Sequence, residues 1–140
     1  TSHVVFVTEL GMKMFDYEIK NNQFKLTYVF EPLNKPELLK ILESDFKYML
    51  LQNLYTKNAL VYSQKKTNTE IYKVTEDSGL LAYYFKNVKT NTIVKICIKK
   101  SICTKEKIVY SYADNLMVDK IFLKHKGIFP LKIQLAKIQK

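Results

Sequence analysis

The stretch Phe24-Lys-Leu-Thr-Tyr-Val-Phe-Glu-Pro-Leu-Asn-Lys-Pro-Glu-Leu-Leu-Lys-Ile-Leu-Glu-Ser-Asp-Phe46 holds two periodicities back to back, and the point where one yields to the other decides the fold. Phe24, Leu26, Tyr28 and Phe30 alternate with Lys25, Thr27 and Val29, a period of two that predicts a strand with one apolar face. Pro32 ends that run. Asn34 then stands as a helix N-cap, with Pro36 in the first turn and Glu37 at the spacing of a capping box. Leu38, Leu39, Ile41, Leu42, Phe46, Met49, Leu50 and Leu54 follow at i, i+3, i+4 spacing, and Lys40, Glu43, Ser44 and Lys47 fall off the stripe. The pattern predicts a helix over 34–55, or two short ones breaking near Ser44-Asp45, that must lay its apolar stripe on a sheet.

On both sides of this stretch the period returns to two. Before it, His3–Thr8 is a β-branched run and Gly11 marks a turn. Met12–Lys20 reads as a strand whose apolar set shifts phase, from Met12 and Met14 to Phe15, Tyr17 and Ile19, which predicts a bulge or bend. Asn21-Asn22 suits a hairpin turn. After it, strands are expected at 59–64, 69–75, 80–87, 92–99, 106–113, 117–124 and 131–139, with turn signals between them. Such even spacing is that of an antiparallel meander, because βαβ units need a helix in every crossover. The fold class that follows is mainly β. It is a strongly curved antiparallel sheet, a half-open barrel of about nine to eleven strands, with a helical insertion after the third. The 140 residues are read as one domain, 1–140.

Composition narrows the function. Apolar residues make up 47% and charged ones 26%, a globular balance rather than a disordered one. The longest apolar run, Leu80–Phe85, is six residues where a membrane helix needs about 20, so a helical membrane span is not expected. The net charge is +10, and all 23 cations are Lys. Strong positive charge suits nucleic acid, anionic lipid or an acidic partner. Base reading and bidentate phosphate gripping lean on Arg, which is absent, and codon drift in an AT-rich genome accounts for Lys in its place.

Catalytic chemistry finds little support. His3 and His125 lie far apart with no motif around either, no Ser sits in a nucleophile elbow, and Glu76-Asp77 belongs to a turn ending at Gly79. The chain is read as a binding protein, with no enzyme activity, catalytic residue, metal or cofactor expected. In Thr92-Ile-Val-Lys-Ile-Cys-Ile-Lys-Lys-Ser-Ile-Cys-Thr104 a hairpin centred near Lys100 would set Cys97 opposite Cys103. In an oxidising compartment they would form a cross-strand disulfide; as two separate small apolar residues they need none. Ten Tyr and eight Phe concentrate on the strands. They serve as ordinary core, as the wall of a ligand cavity, or as a stacking surface for single-stranded nucleic acid with Lys on the phosphates. The nucleic-acid alternative predicts a lysine stripe on one sheet face, drawn from Lys95, Lys99, Lys107 and Lys132.

The segment Val5-Phe-Val-Thr-Glu-Leu-Gly-Met-Lys-Met-Phe-Asp-Tyr-Glu-Ile19 resembles the strand, Leu-Gly loop and strand of LolB, the outer-membrane receptor for lipoproteins, and so of the LolA/LolB-like family. The order of the later elements is similar too, down to Ile121-Phe-Leu-Lys-His-Lys-Gly127 followed by Leu131-Lys-Ile-Gln-Leu-Ala-Lys-Ile138. LolB-like proteins carry further strands ahead of the first segment, so by this resemblance the chain is either a shorter relative or lacks the N-terminal part. The resemblance implies a half-open barrel whose concave face holds acyl chains under a helical lid. It implies binding of lipid or acylated lipoprotein in the periplasm or at the outer membrane, with lipoprotein insertion as the process served. A periplasmic carrier protein and an anionic membrane surface are the partners it brings, and a lipid anchor on a lost N-terminal Cys is expected. By this resemblance Leu10 is the membrane-engaging loop residue. Lipid-contacting candidates, taken from alternation, are Phe24, Leu26, Tyr28 and Phe30 with Val94, Ile96 and Ile98, and Leu38, Leu42 and Phe46 under the lid. Plain core is the other reading of each of these, and a structural envelope lipoprotein without ligand is the further alternative.

Overall fold

The structure is a computed structural model that describes residues 2–21, 23–50, 59–128 and 130–136. Among the described residues it is mainly β, with ten strands and one α-helix placed after the third strand, as the change of period predicts. The strands form two antiparallel sheets, and the chain divides into two compact units, Thr1–Gln52 and Asn53–Lys140.

The first unit is a three-stranded meander with the helix. Its strands are β1 (Ser2–Val7), β2 (Lys13–Lys20) and β3 (Gln23–Val29), with β2 central. Register puts Phe6 opposite Phe15, Val4 opposite Tyr17, and Tyr17 opposite Leu26, so these side chains share the inner face. A short 3-10 turn (Glu31–Leu33) leads into α1 (Pro36–Met49). Phe46 of α1 stacks on Phe6 with centroids 4.5 Å apart and meets Tyr17 edge-on at 5.5 Å, so the helix stripe lies on the inner face.

The predicted capping box does not form. Asn34 closes the 3-10 turn, its N–H donating to the Glu31 carbonyl, and Lys35 is the residue that precedes the helix. The reason is local: Pro36 forces the residue before it into an extended conformation, so Lys35 sits at φ −118° and α1 begins at Pro36 itself. The expected last turn, including Leu54, lies outside the described residues.

The second unit is a seven-stranded meander of sequential neighbours: β4 (Leu60–Gln64), β5 (Thr69–Thr75), β6 (Leu81–Asn87), β7 (Thr92–Lys100), β8 (Cys103–Tyr112), β9 (Val118–His125) and β10 (Leu131–Ala136). β4 and β10 are its edges, so this sheet is open. One face carries Ala82, Tyr84, Ile96, Ile98, Ile108 and Leu123, all buried. Three hairpins, at Thr8–Met12, Glu76–Leu80 and Ala113–Met117, share one turn geometry, with the fourth residue at positive φ: Gly11, Gly79 and Leu116.

Among the described residues five register shifts interrupt the ladders, each leaving one extra residue: Met14, Thr27, Val94, Lys105 and Asp119. Met14 is the phase change visible in the sequence. The others alter which side chains share a face.

Candidate functional site

Leu10 sits at the apex of the β1–β2 hairpin. The Gly11 N–H donates to the Thr8 carbonyl, the Thr8 N–H donates to the Met12 carbonyl, both at 2.8 Å, and the Met12 N–H also reaches the Thr8 hydroxyl at 3.1 Å. Gly11 takes φ +81°, open to glycine at little cost, so the chain reverses within these few residues and Leu10 points away. It is 96% exposed, and Val7 and Met12 on the two legs are about half exposed. Behind the apex, on the outer face, Lys13 pairs with Asp16 at 2.7 Å and lies over the Tyr28 ring at 5.4 Å, while His3 reaches Asp16 at 3.2 Å. Hydrogen bonds from Lys13 and then His3 hold the Asp16 carboxyl below its ordinary range.

The lipid-contacting candidates separate by unit. Phe24, Leu26, Leu38, Leu42 and Phe46 all belong to the first unit; Tyr17 meets Phe46 at 5.5 Å and Phe24 at 6.2 Å, Leu38, Leu42 and Phe46 are buried, and Lys47 covers the Phe24 ring at 5.7 Å. Phe30 is half-buried at the end of β3, its N–H bonded to the Met14 carbonyl. Tyr28 leaves the expected set. The extra residue Thr27 inverts the alternation after Leu26, so Val29 turns inward opposite Phe15 while Tyr28 pairs with Asp16 on the outer face. In the second unit Ile96 and Ile98 are buried. Val94, the extra residue of its bulge, is replaced by Ile93 as the partner of Lys86, and Ile93 is the buried one.

Both cysteines are free, the second of the two alternatives left open by the sequence. The β7–β8 turn falls at Ser101-Ile102, with Ser101 at φ +57°; Cys103 faces Lys100 and Cys97 faces Lys107. An offset of several residues at about 3.3 Å each exceeds what a disulfide spans.

The face of the second sheet opposite its buried residues is basic. A cross-strand row runs Lys73, Tyr83, Cys97, Lys107, Lys124, Lys132 from β5 to β10. A parallel row runs Ile71, Phe85, Lys95, Val109, Phe122, Gln134, and Lys99 and Lys120 register on the same side. Lys95 lies 4.1 Å from the Phe85 ring, and Lys73 and Lys99 approach Tyr83 at 5.9 and 5.2 Å. The lysines singled out by sequence, Lys95, Lys99, Lys107 and Lys132, therefore share one face. No Asp or Glu occupies a registered position among these rows.

No family model, no curated protein and no solved structure matches the chain. Its chemistry is read from its own residues. One of them escaped the sequence reading, and a second, Tyr17, enters it only as part of the apolar set of its strand. Glu106, in the run Lys105-Glu-Lys107, looks like a surface charge, yet it is buried in register with His125 and Ile98. Its signal was its phase, two positions before Ile108 and four before Tyr110, both inward. Tyr17 is 2% exposed, and burial, followed by the nearby Glu43 charge, raises its phenol to about 12. Among the described residues no helix is long and apolar enough to cross a membrane.

Proposed function

We propose that the protein binds at a lipid surface of a bacterial cell envelope, with the Thr8–Met12 hairpin as its inserting element and lipid or lipoprotein acyl chains as its ligands. The observation that carries the reading is Leu10, almost wholly exposed at a braced apex and flanked by the exposed Val7 and Met12. Apolar groups clustered at a protruding tip cost little in water and gain when the tip enters an acyl boundary. The net charge of +10 favours an anionic surface. The resemblance of Val5–Ile19 to the LolB segment supports the same role for Leu10 and brings with it lipoprotein insertion, a periplasmic carrier partner and a lipid-anchored location at the outer membrane. In this reading an acyl chain reaches Phe46 only when α1 lifts from its sheet, because Phe6 and Tyr17 close over it in the packed structure.

Flotation with phosphatidylglycerol-containing vesicles tests it. Leu10→Glu removes an apolar group worth about 1.5–3 kcal/mol of burial and adds a charge that resists the interface, so partitioning falls at least tenfold. The melting temperature of the variant stays close to that of the native chain, since an exposed tip carries little packing. Unchanged flotation would remove the hairpin from the site. A melting temperature lowered by many degrees would mean that Leu10 packs into the fold.

A further inference from the structure

Where β8 and β9 run side by side, the lysine face folds into a cleft of about 440 Å³ lined by Thr104, Lys105, Lys107, Val109, Phe122, Lys124 and Lys126. That size is within the range of small-ligand sites. The β8 bulge builds one wall. Its extra residue is Lys105, whose carbonyl accepts the Lys126 N–H at 2.7 Å and so ties the two lysines together. Lys107 stands directly opposite Lys124, and Lys124 directly opposite Lys132. Like charges in cross-strand register repel. No carboxylate lines the cleft, and none of the ion pairs among the described residues involves these lysines. A cleft of the same size at the β2–β3 turn differs in kind: Glu18 sits there with Lys20 and Lys25, and its charges are partly balanced.

We propose that the β8–β9 cleft binds the phosphate group of an anionic amphiphile, with Lys105, Lys107, Lys124 and Lys126 around the phosphate and Val109 and Phe122 against the adjoining apolar chain. Lysine ammonium groups hold phosphate as point charges from several directions. A purely polar anion leaves Val109 and Phe122 unused, and a neutral lipid leaves four lysines repelling one another. The phosphate chemistry is shared by lipid head groups and free phosphates, and the apolar wall is what separates them. This site lies wholly in the second unit, so it stands or falls apart from the hairpin.

Calorimetric titration of the full chain with monomeric octyl phosphate, inorganic pyrophosphate and octyl glucoside decides the matter. Octyl phosphate binds, pyrophosphate binds more weakly and octyl glucoside does not bind. Lys107→Gln and Lys124→Gln each lower octyl phosphate affinity about fivefold, the effect of one unit charge at contact distance in water. Phe122→Gln weakens octyl phosphate and leaves pyrophosphate unchanged. The control pair Lys20→Gln and Lys25→Gln changes affinity less than twofold, and Leu10→Glu changes nothing. The proposal is overturned by any of four results: no binding of octyl phosphate, equal loss in the control pair, pyrophosphate binding as tightly with Phe122→Gln silent, or a single-stranded oligonucleotide displacing octyl phosphate with a steep salt dependence.

Discussion

Replacing Tyr17 by Phe tests the packing that supports the hairpin. Tyr17 is central to the inner face of the first sheet, between Val4 on β1 and Leu26 on β3, with Phe46 edge-on to its ring. Among the described residues its buried hydroxyl has no hydrogen-bond partner. In the unfolded chain that hydroxyl bonds water, so folding loses a hydrogen bond without replacing it, at a cost of about 1–3 kcal/mol. Phe keeps the ring and its aromatic contacts. Tyr17→Phe therefore stabilises the protein by about 1 kcal/mol at pH 7, after allowance for the small void left by the oxygen.

The same group gives a pH signature. Below pH 10 both folded and unfolded states hold the phenolic proton, and stability is independent of it. Above pH 10 the unfolded chain releases the proton while the folded chain keeps it up to about 12. The unfolded state then binds fewer protons, so stability falls as pH rises through this window, by about 2–3 kcal/mol from this residue. Burial raises Tyr110 and Tyr112 in the same direction, so only the difference between native and variant isolates Tyr17. Urea unfolding of both proteins from pH 7 to 11.5 is the assay. The Tyr17→Phe advantage should widen above pH 10. A variant less stable than the native protein at pH 7, or two curves falling in parallel, would refute the reasoning.

Other expectations follow from single residues. Leu116 occupies at φ +61° the turn position that Gly11 and Gly79 fill elsewhere, so Leu116→Gly raises stability by about 0.5 kcal/mol in thermal unfolding, the strain relieved exceeding the added chain entropy. Cys103 is exposed and Cys97 half-buried, both as thiols, so iodoacetamide labels Cys103 first and mass spectrometry under non-reducing conditions finds two alkylatable sulfurs. A single unreactive pair would contradict the β7–β8 register.

The strands and the helix were legible because each carries its period on the surface of the sequence: Phe24 to Leu26 alternates, and Leu38 to Met49 does not. Bulges are harder to see. Met14 announced itself because apolar residues lie on both sides of the phase change. Thr27 did not, because Tyr28 and Val29 are both acceptable on either face, and alternation alone assigned Tyr28 inward. Val94 and Ile93 are equally interchangeable to a pattern, and only the ladder to Lys86 separates them. Whether Cys97 and Cys103 stand opposite each other turns on a related point, since moving the turn from Lys100 to Ser101-Ile102 and adding Lys105 shifts the whole register. Spacing likewise orders the strands without showing that β3 and β4, separated by α1, belong to different sheets.

The lysine face bears on how the charge arose. Codon drift replaces Arg by Lys at positions that were already basic, and solvation places polar residues of both signs on an outer face. Neither explains seven lysines in register on one face with no carboxylate among them, in a chain holding 13 acidic residues. Such a face costs stability through repulsion, most where Lys107, Lys124 and Lys132 stand in direct cross-strand succession. Lys107→Glu inserts an opposite charge beside Lys124 and should stabilise the fold by about 0.2–1 kcal/mol at low ionic strength. The gain should fade towards 1 M salt, where screening acts over about 3 Å. Thermal unfolding of native and variant protein across a salt series measures both. A variant destabilised at low salt would mean that Lys107 is held by a favourable contact, and the repulsion argument for the β8–β9 cleft would fall with it.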